Sequence, residues 1–474
     1  MKKLTTTIIM IFLFSLTSNA QNDFEKLWTQ VEKLEVDGLP KSALQIVEEI
    51  YAKAEKTDNS PQIIKSLFYK SKFALTLEED AQLQVIQNFK KHIGKNQAPT
   101  KNVLENVLAN LYWQYFTQNR YKFYNRTKTQ VKIDINDFRT WDLDTLFEEI
   151  HMYFKASLKE EKLLQKINIE EFSDILQLQK TAKIYTPTLF DFLANNALNF
   201  YKSPENSITK PSYQFTIDNP NYLSDAKTFS KLNITSKDSL SLQLNALNIY
   251  QKLLELHTKT NNKKAFANSN VERLFFVYQN ATFENKESIL LATLKTSEAN
   301  FKNDEASGLY AFEIAQIYKN QSKNQEALTI CNRIIKDFPN SLGAQKCFVL
   351  KSQIEQKTLS IQAEEFIPID KNSRLLVTYK NVNKLYIPGN HEDSFLINNK
   401  FIQSKVSHKN DTLAPKFPYL KLVFISSTEI QLVDSKNSSF LIGPKDNSVT
   451  WLRVGVASWV EKVLNLEVFT TIII

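Results

Sequence analysis

From Phe24 to about Gln356 apolar residues recur every three or four positions, the spacing that lines one face of an α-helix. Leu27, Val31 and Leu34 mark a first helix. Gly38 is placed to end it with a positive φ, as a helix-terminating glycine does. Pro40 then opens a second helix, where its missing N–H costs little. Ala43, Ile46, Val47 and Ile50 form the stripe that this helix buries. Asp58-Asn59-Ser60-Pro61 separates it from a third helical pattern through Ile63, Ile64, Leu67, Phe68, Ala74 and Leu75. A single helical hairpin cannot cover its own apolar face, so neighbouring hairpins are expected to stack on it.

The design returns in "LYAFEIAQIYKNQSKNQEALTICNRIIKDFPNS". Ile314, Ala315 and Tyr318 fall on one predicted helix, and Ala327, Cys331 and Ile334 on the next. The spacing resembles a tetratricopeptide repeat, a helical hairpin of ~34 residues. Small Ala315 and Ala327 let the helices approach, Tyr318 fills space beside them, and Pro339 closes the unit because it cannot donate inside a helix. Between these two regions the repeat decays. Trp113, Tyr115, Phe116, Tyr121, Phe123 and Tyr124 crowd one segment. Aromatic residues at helical spacing more often pack between helices than form a stacking platform for sugars or bases. Pro204, Pro211 and Pro220 break any helix across a polar connection, and Ser241–His257 resumes the helical period.

After Gln356 β-branched and aromatic residues alternate with polar ones in "RLLVTYKNVNKLYI", "YLKLVFISSTEIQLV" and "SVTWLRVGV", which predicts short strands from about Leu359 onward. The terminal "LEVFTTIII" is apolar enough to need burial. The predicted fold is mainly α: a tetratricopeptide-like array of helical hairpins followed by a small antiparallel β-sandwich-like C-terminal domain. The expected division is 1–20 leader, 21–202 N-terminal helical domain, 203–240 connection, 241–357 repeat-like hairpins and 358–474 β-rich domain.

Composition narrows the function. The 474 residues are 42% hydrophobic and 23% charged, as in an ordinary globular protein, yet only 7 are Gly. Neither a dinucleotide-binding GxGxxG nor a phosphate-cradling P-loop occurs. The net charge of +8 is spread along the chain without a basic run, so a solvated lysine-rich surface is the expectation and nucleic acid is not a predicted partner. "MKKLTTTIIMIFLFSLTSNA" has a basic start, a short apolar stretch from Ile8 to Leu16 and small residues before Gln21. It predicts a cleaved secretory signal, with an exported protein in the periplasm or outside the cell and no membrane span after cleavage. Cys331 and Cys347 are the only cysteines; a buried free pair is favoured over a disulfide.

No chemical motif emerges. The 5 histidines (His92, His151, His257, His391 and His408) lie outside any HExxH context. Glu148 and His151 make one ExxH where a carboxylate-bridged metal pair needs two, so a packing or surface role is expected. Asn125-Arg126-Thr127 is read as a chance glycosylation match. No catalytic residue, metal ligand or cofactor is predicted.

Six blocks carry a resemblance: "GLPKSALQIVEEIYAKA", "LANLYWQYF", "TWDLDTLFEEI", "TPTLFDFLANNALNFY", "DFPNSLGAQKCFVLKSQIEQ" and "LLVTYKNVNKLYI". Their order and character resemble the N-terminal region of large bacterial proteins of the alpha-2-macroglobulin family, over roughly Phe24 to Ile387. The resemblance implies an exported protein related to endopeptidase inhibitors that close around an attacking protease. It also implies that "LLVTYKNVNKLYI" is an early strand pair of the first macroglobulin domain. The family's thioester motif is absent: Cys331 precedes Asn332 and Cys347 precedes Phe348. The expectation is a non-catalytic, truncated or frame-disrupted member whose partner is a protease. The alternative is a stand-alone tetratricopeptide-like scaffold holding an envelope protein.

Overall fold

The computed structural model describes residues 23–78, 81–124, 134, 136–179, 181–207, 213–363, 373–381, 384–387, 395–396, 421–422, 428–431, 438–442 and 449–452. The predicted leader at 1–20, Asn125-Arg126-Thr127, His391, His408 and the terminal "LEVFTTIII" lie outside the described residues.

The protein is mainly helical. The first helices are α1 (23–36), α2 (Pro40–Lys56), α3 (Ser60–Leu77), α4 (Ala81–Lys95) and α5 (Thr100–Tyr124). Then come α6 (Leu143–Ser157), α7 (Glu161–Leu164), α8 (Ala182–Tyr185) and α9 (Leu189–Tyr201). After the connection follow α10 (Ala226–Phe229), α11 (Leu242–Lys259), α12 (Lys263–Asn280), α13 (Lys286–Asn300), α14 (Ser307–Asn320), α15 (Asn324–Asp337) and α16 (Leu342–Glu355). Two compact units divide inside α14, the first ending at Ala311 and the second beginning at Phe312.

One two-residue joint turns the chain at four hairpins. At the end of α1 Gly38 has φ 72°, its N–H bonds Glu35 O at 3.0 Å, and the Leu39 N–H bonds Leu34 O at 2.8 Å. That left-handed closure satisfies carbonyls the helix end would otherwise leave open. Asp58 (φ 50°) with Asn59 repeats it after α2, Asn261 (φ 52°) with Asn262 after α11, and Ser322 (φ 62°) with Lys323 after α14. In two of these joints the second residue also caps the next helix: Asn59 Oδ1 accepts from Gln62 N, and Asn262 Oδ1 accepts from Ala265 N.

Within the first unit most of the predicted stripe positions are buried, while Leu27, Leu34, Ile46 and Ala74 are half-buried. Ala43, Val47, Ile50, Ile63, Ile64 and Leu67 are core, while Leu75 is half exposed and Phe73 takes the inward position instead. The start of α5 is surrounded, with Val103, Leu104, Val107, Leu108 and Ala109 all buried. Its aromatic segment packs as expected between helices: Trp113 stacks on Phe116 at 5.3 Å and meets Phe200 edge-on at 5.2 Å. Tyr121 and Tyr124 are the exceptions, 84% and 48% exposed. The predicted polar connection carries two short 3-10 turns, Pro204–Ser207 and Pro220–Leu223, and α10. It is held to the array by Arg273 of α12, which is fully buried and donates to Tyr222 O and Ser224 O at 2.7 and 2.8 Å.

In the second unit α15 and α16 pair as an antiparallel hairpin through Ala327, Cys331 and Ile334 against Ala344, Cys347 and Leu350. Both cysteines are buried and unbridged. Eight short strands are described: β1 (Thr358–Ala363), β2 (Ser373–Lys380), β3 (Lys384–Ile387), β4 (Phe395–Leu396), β5 (Lys421–Leu422), β6 (Thr428–Gln431), β7 (Ser438–Ile442) and β8 (Val449–Leu452). They pair antiparallel in the order β1-β2-β7-β8, with separate pairs β3-β6 and β4-β5. The two strands of "LLVTYKNVNKLYI" are formed, but β2 and β3 belong to different sheets.

Candidate binding site

A cleft of about 330 Å³ opens beside the first hairpins. One wall is α3, which supplies Lys65, Phe68, Tyr69 and Lys72 at successive helical turns. The other is the segment after the 3-10 turn Ile169–Phe172, supplying Ser173, Asp174, Ile175, Leu176 and Gln177. That turn opens with a capping box in which the Asn168 side chain and Glu171 bond reciprocally to each other's backbone.

A hydrogen-bond relay ties the walls together. Trp28 of α1 donates from Nε1 to Gln62 Oε1 at 2.6 Å, and Gln62 Nε2 donates to Asp174 Oδ2 at 2.7 Å. Trp28 is buried, and its ring lies 4.7 Å from that of Tyr69. Lys65 extends its ammonium over the Trp28 ring, Nζ 4.4 Å from the centroid. Burial lowers the Lys65 pKa, against the pull of Asp174 and Glu32. Lys72 is engaged differently: its Nζ pairs with Glu35 at 2.5 Å. The cleft therefore offers an apolar and aromatic wall, two cations and one carboxylate that already accepts a hydrogen bond.

The residues singled out from sequence lie elsewhere. Ala315 and Ala327 are fully buried, Tyr318 is half-buried and Pro339 exposed just past the end of α15. Glu148 is exposed, whereas His151 is buried and shares a 3.0 Å hydrogen bond with Tyr201 Oη. Burial pushes the His151 pKa down to about 4. His92 is likewise lowered to about 4 by burial, with Lys70, Lys95 and Lys91 adding to the effect, and its Nδ1 lies 2.9 Å from Tyr51 Oη. His257 Nε2 stands 3.1 Å from Asp191 Oδ1 in a sealed position, while Asp191 Oδ2 caps α9 through Thr188. Among the described residues no three His, Cys, Asp or Glu side chains gather in a metal-binding group. No described helix is long and apolar enough to cross a membrane.

Sequence reasoning missed the cleft. The spacing of Lys65 and Tyr69 with Phe68 and Lys72 was a signal, but alternating lysines and aromatics on a helix also describe a solvated face. The opposite wall lies more than 100 residues away and has no local pattern.

Fold and cleft together define a class: a helical-hairpin array with a mixed aromatic and cationic groove. No known family model matches the chain, and no curated protein matches it either.

Proposed function

We propose that the chain is an exported, non-catalytic protein whose stacked hairpins hold another protein, akin to the N-terminal part of an alpha-2-macroglobulin-type endopeptidase inhibitor. The observation that carries this reading is the seam between helices and strands. Lys380 Nζ at the end of β2 donates to Gln353 O of α16 at 2.7 Å. The next residue, Asn381, donates from Nδ2 to Ile354 O and Gln356 O at 2.6 and 3.1 Å. The last hairpin thus runs into antiparallel strands without a free linker, the succession that the family resemblance implies. On this reading α14 to α16 are tetratricopeptide-like and the strands are part of a macroglobulin-like sandwich.

The cleft on α3 favours a second reading, a stand-alone scaffold that binds an envelope protein through its groove. Incubating the purified chain with a serine endopeptidase and casein separates the two. Protection of casein supports the inhibitor, while tight binding of one envelope protein with peptidase activity unchanged supports the scaffold. Turnover of any substrate by the chain itself, lost on a single side-chain substitution, removes both.

A further inference from the structure

We propose that the cleft between α3 and residues 173–177 recognises an acidic side chain within an extended, apolar-flanked segment of a protein partner, with Lys65 as the cation that reads it. This rests on the protein-holding function proposed above and adds the place and chemistry of the contact.

The charges lining the cleft are not equivalent. Lys72 is neutralised by Glu35 at 2.5 Å. Asp174 Oδ2 is occupied by the amide of Gln62. Lys65 has no carboxylate within 4 Å among the described residues; its close neighbour is the face of Trp28. A half-buried ammonium against an aromatic ring has given up part of its hydration without gaining an anion. Its lowered pKa reports the same shortage, because burial there outweighs the distant attraction of Asp174 and Glu32. An incoming carboxylate supplies the missing partner in a partly dehydrated setting, where a charge-assisted bond is strong.

The rest of the lining sets the flanks. Phe68, Tyr69, Ile175 and Leu176 present apolar surface beside the cation, and exposed Ser173 and Gln177 put polar groups on the rim for a peptide backbone. The volume lies at the lower end of the roughly 300–1,000 Å³ typical of ligand sites, which suits a few residues rather than a helix. The chain's net charge of +8 draws acidic segments toward it.

The test uses the full chain and two fluorescein-labelled octapeptides, identical except that one carries Glu and the other Gln between Phe and Leu. Fluorescence polarisation at low salt should show the Glu peptide binding about tenfold more tightly, a difference of about 1.4 kcal/mol. Lys65→Met should abolish that preference, Lys65→Arg should keep it, and Lys72→Met should change it by less than about threefold. The thermal midpoint of each variant shows that it is folded. Equal affinity for both peptides, binding of neither at about 1 mM, or a preference that survives Lys65→Met overturns the proposal. A chain that holds a protein partner yet ignores both peptides loses this inference and keeps the scaffold function. Glu-selective binding without any protein partner does the reverse.

Discussion

The guanidinium of Arg273 lies 4.3 Å above the ring of Phe229, joining α12 to the short α10 of the connection. Arg273 is fully buried and makes four hydrogen bonds: Asn270 Oδ1 accepts from Nε and Nη2, and the carbonyls of Tyr222 and Ser224 accept from Nη1 and Nη2. Burial lowers its pKa to about 9, with Tyr310, Asp225 and Tyr250 opposing the shift. A stretch broken by prolines is thereby fixed to a helix some fifty residues later.

Removing that cation takes the donor from two part-buried carbonyls and from the buried amide oxygen of Asn270. Each unsatisfied group costs about 1–3 kcal/mol, so Arg273→Met should destabilise the first unit by roughly 3 kcal/mol or more. Urea unfolding measures the loss. Limited proteolysis should find cuts between residues 213 and 240 appearing much earlier than in the wild type. An unchanged cleavage pattern would show that the connection is held by other contacts.

The repeated joint makes an opposite pair of predictions. At Gly38 no atom stands within 4 Å of an added Cβ, so Gly38→Ala suffers only the strain of a left-handed backbone, about 1 kcal/mol. At Ser322 the same backbone is already carried by a residue with a Cβ, and Ser322→Gly should stabilise by about 0.5–1 kcal/mol. Denaturation midpoints moving in the same direction for both variants would argue against a shared joint.

His92 and His151 have folded pKa values near 4, against an unfolded value of 6.5. The unfolded chain therefore takes up protons first as pH falls. Their contribution is complete above pH 6.5 and is lost as pH drops through 6.5 toward 4. The upper limit is about 3 kcal/mol per histidine. Glu313 works the other way: burial raises its pKa to about 7, with Lys346 opposing, so its protonation favours the folded state between 7 and 4.5. The clean measurement is thus a difference between variants. His151→Gln should lose less thermal stability than the wild type between pH 7.5 and 4.5, and equal losses would remove His151 from the account.

Cys331 and Cys347 interact across the α15–α16 hairpin, which lowers the Cys331 pKa and raises that of Cys347, and burial raises the latter further. Both are fully buried, so 5,5′-dithiobis(2-nitrobenzoic acid) should label neither in the native chain and both in guanidinium. Native labelling at the rate of an exposed thiol would mean that this hairpin opens readily.

Gly38, Pro40 and the stripe of Ala43, Val47 and Ile50 announce the first hairpin, because a glycine turn and helical periodicity are local properties. The joints at Asp58, Asn261 and Ser322 are less legible, since Asp, Asn and Ser enter the left-handed region less readily than Gly and serve many other turns. For His151 the sequence left a packing or a surface role open; its burial against Tyr201, set by α6 meeting α9, decides for packing.

Periodicity along the chain was enough to determine that this protein is mainly helical, where several hairpins turn and that its aromatic cluster belongs between helices. Only the tertiary structure decided that Trp28, Gln62 and Asp174 form one relay, that Lys65 has no carboxylate within 4 Å among the described residues, and that Arg273 anchors the connection. Those relationships join residues tens to more than a hundred positions apart. They depend on how helices stack, which no local pattern of polar and apolar residues encodes.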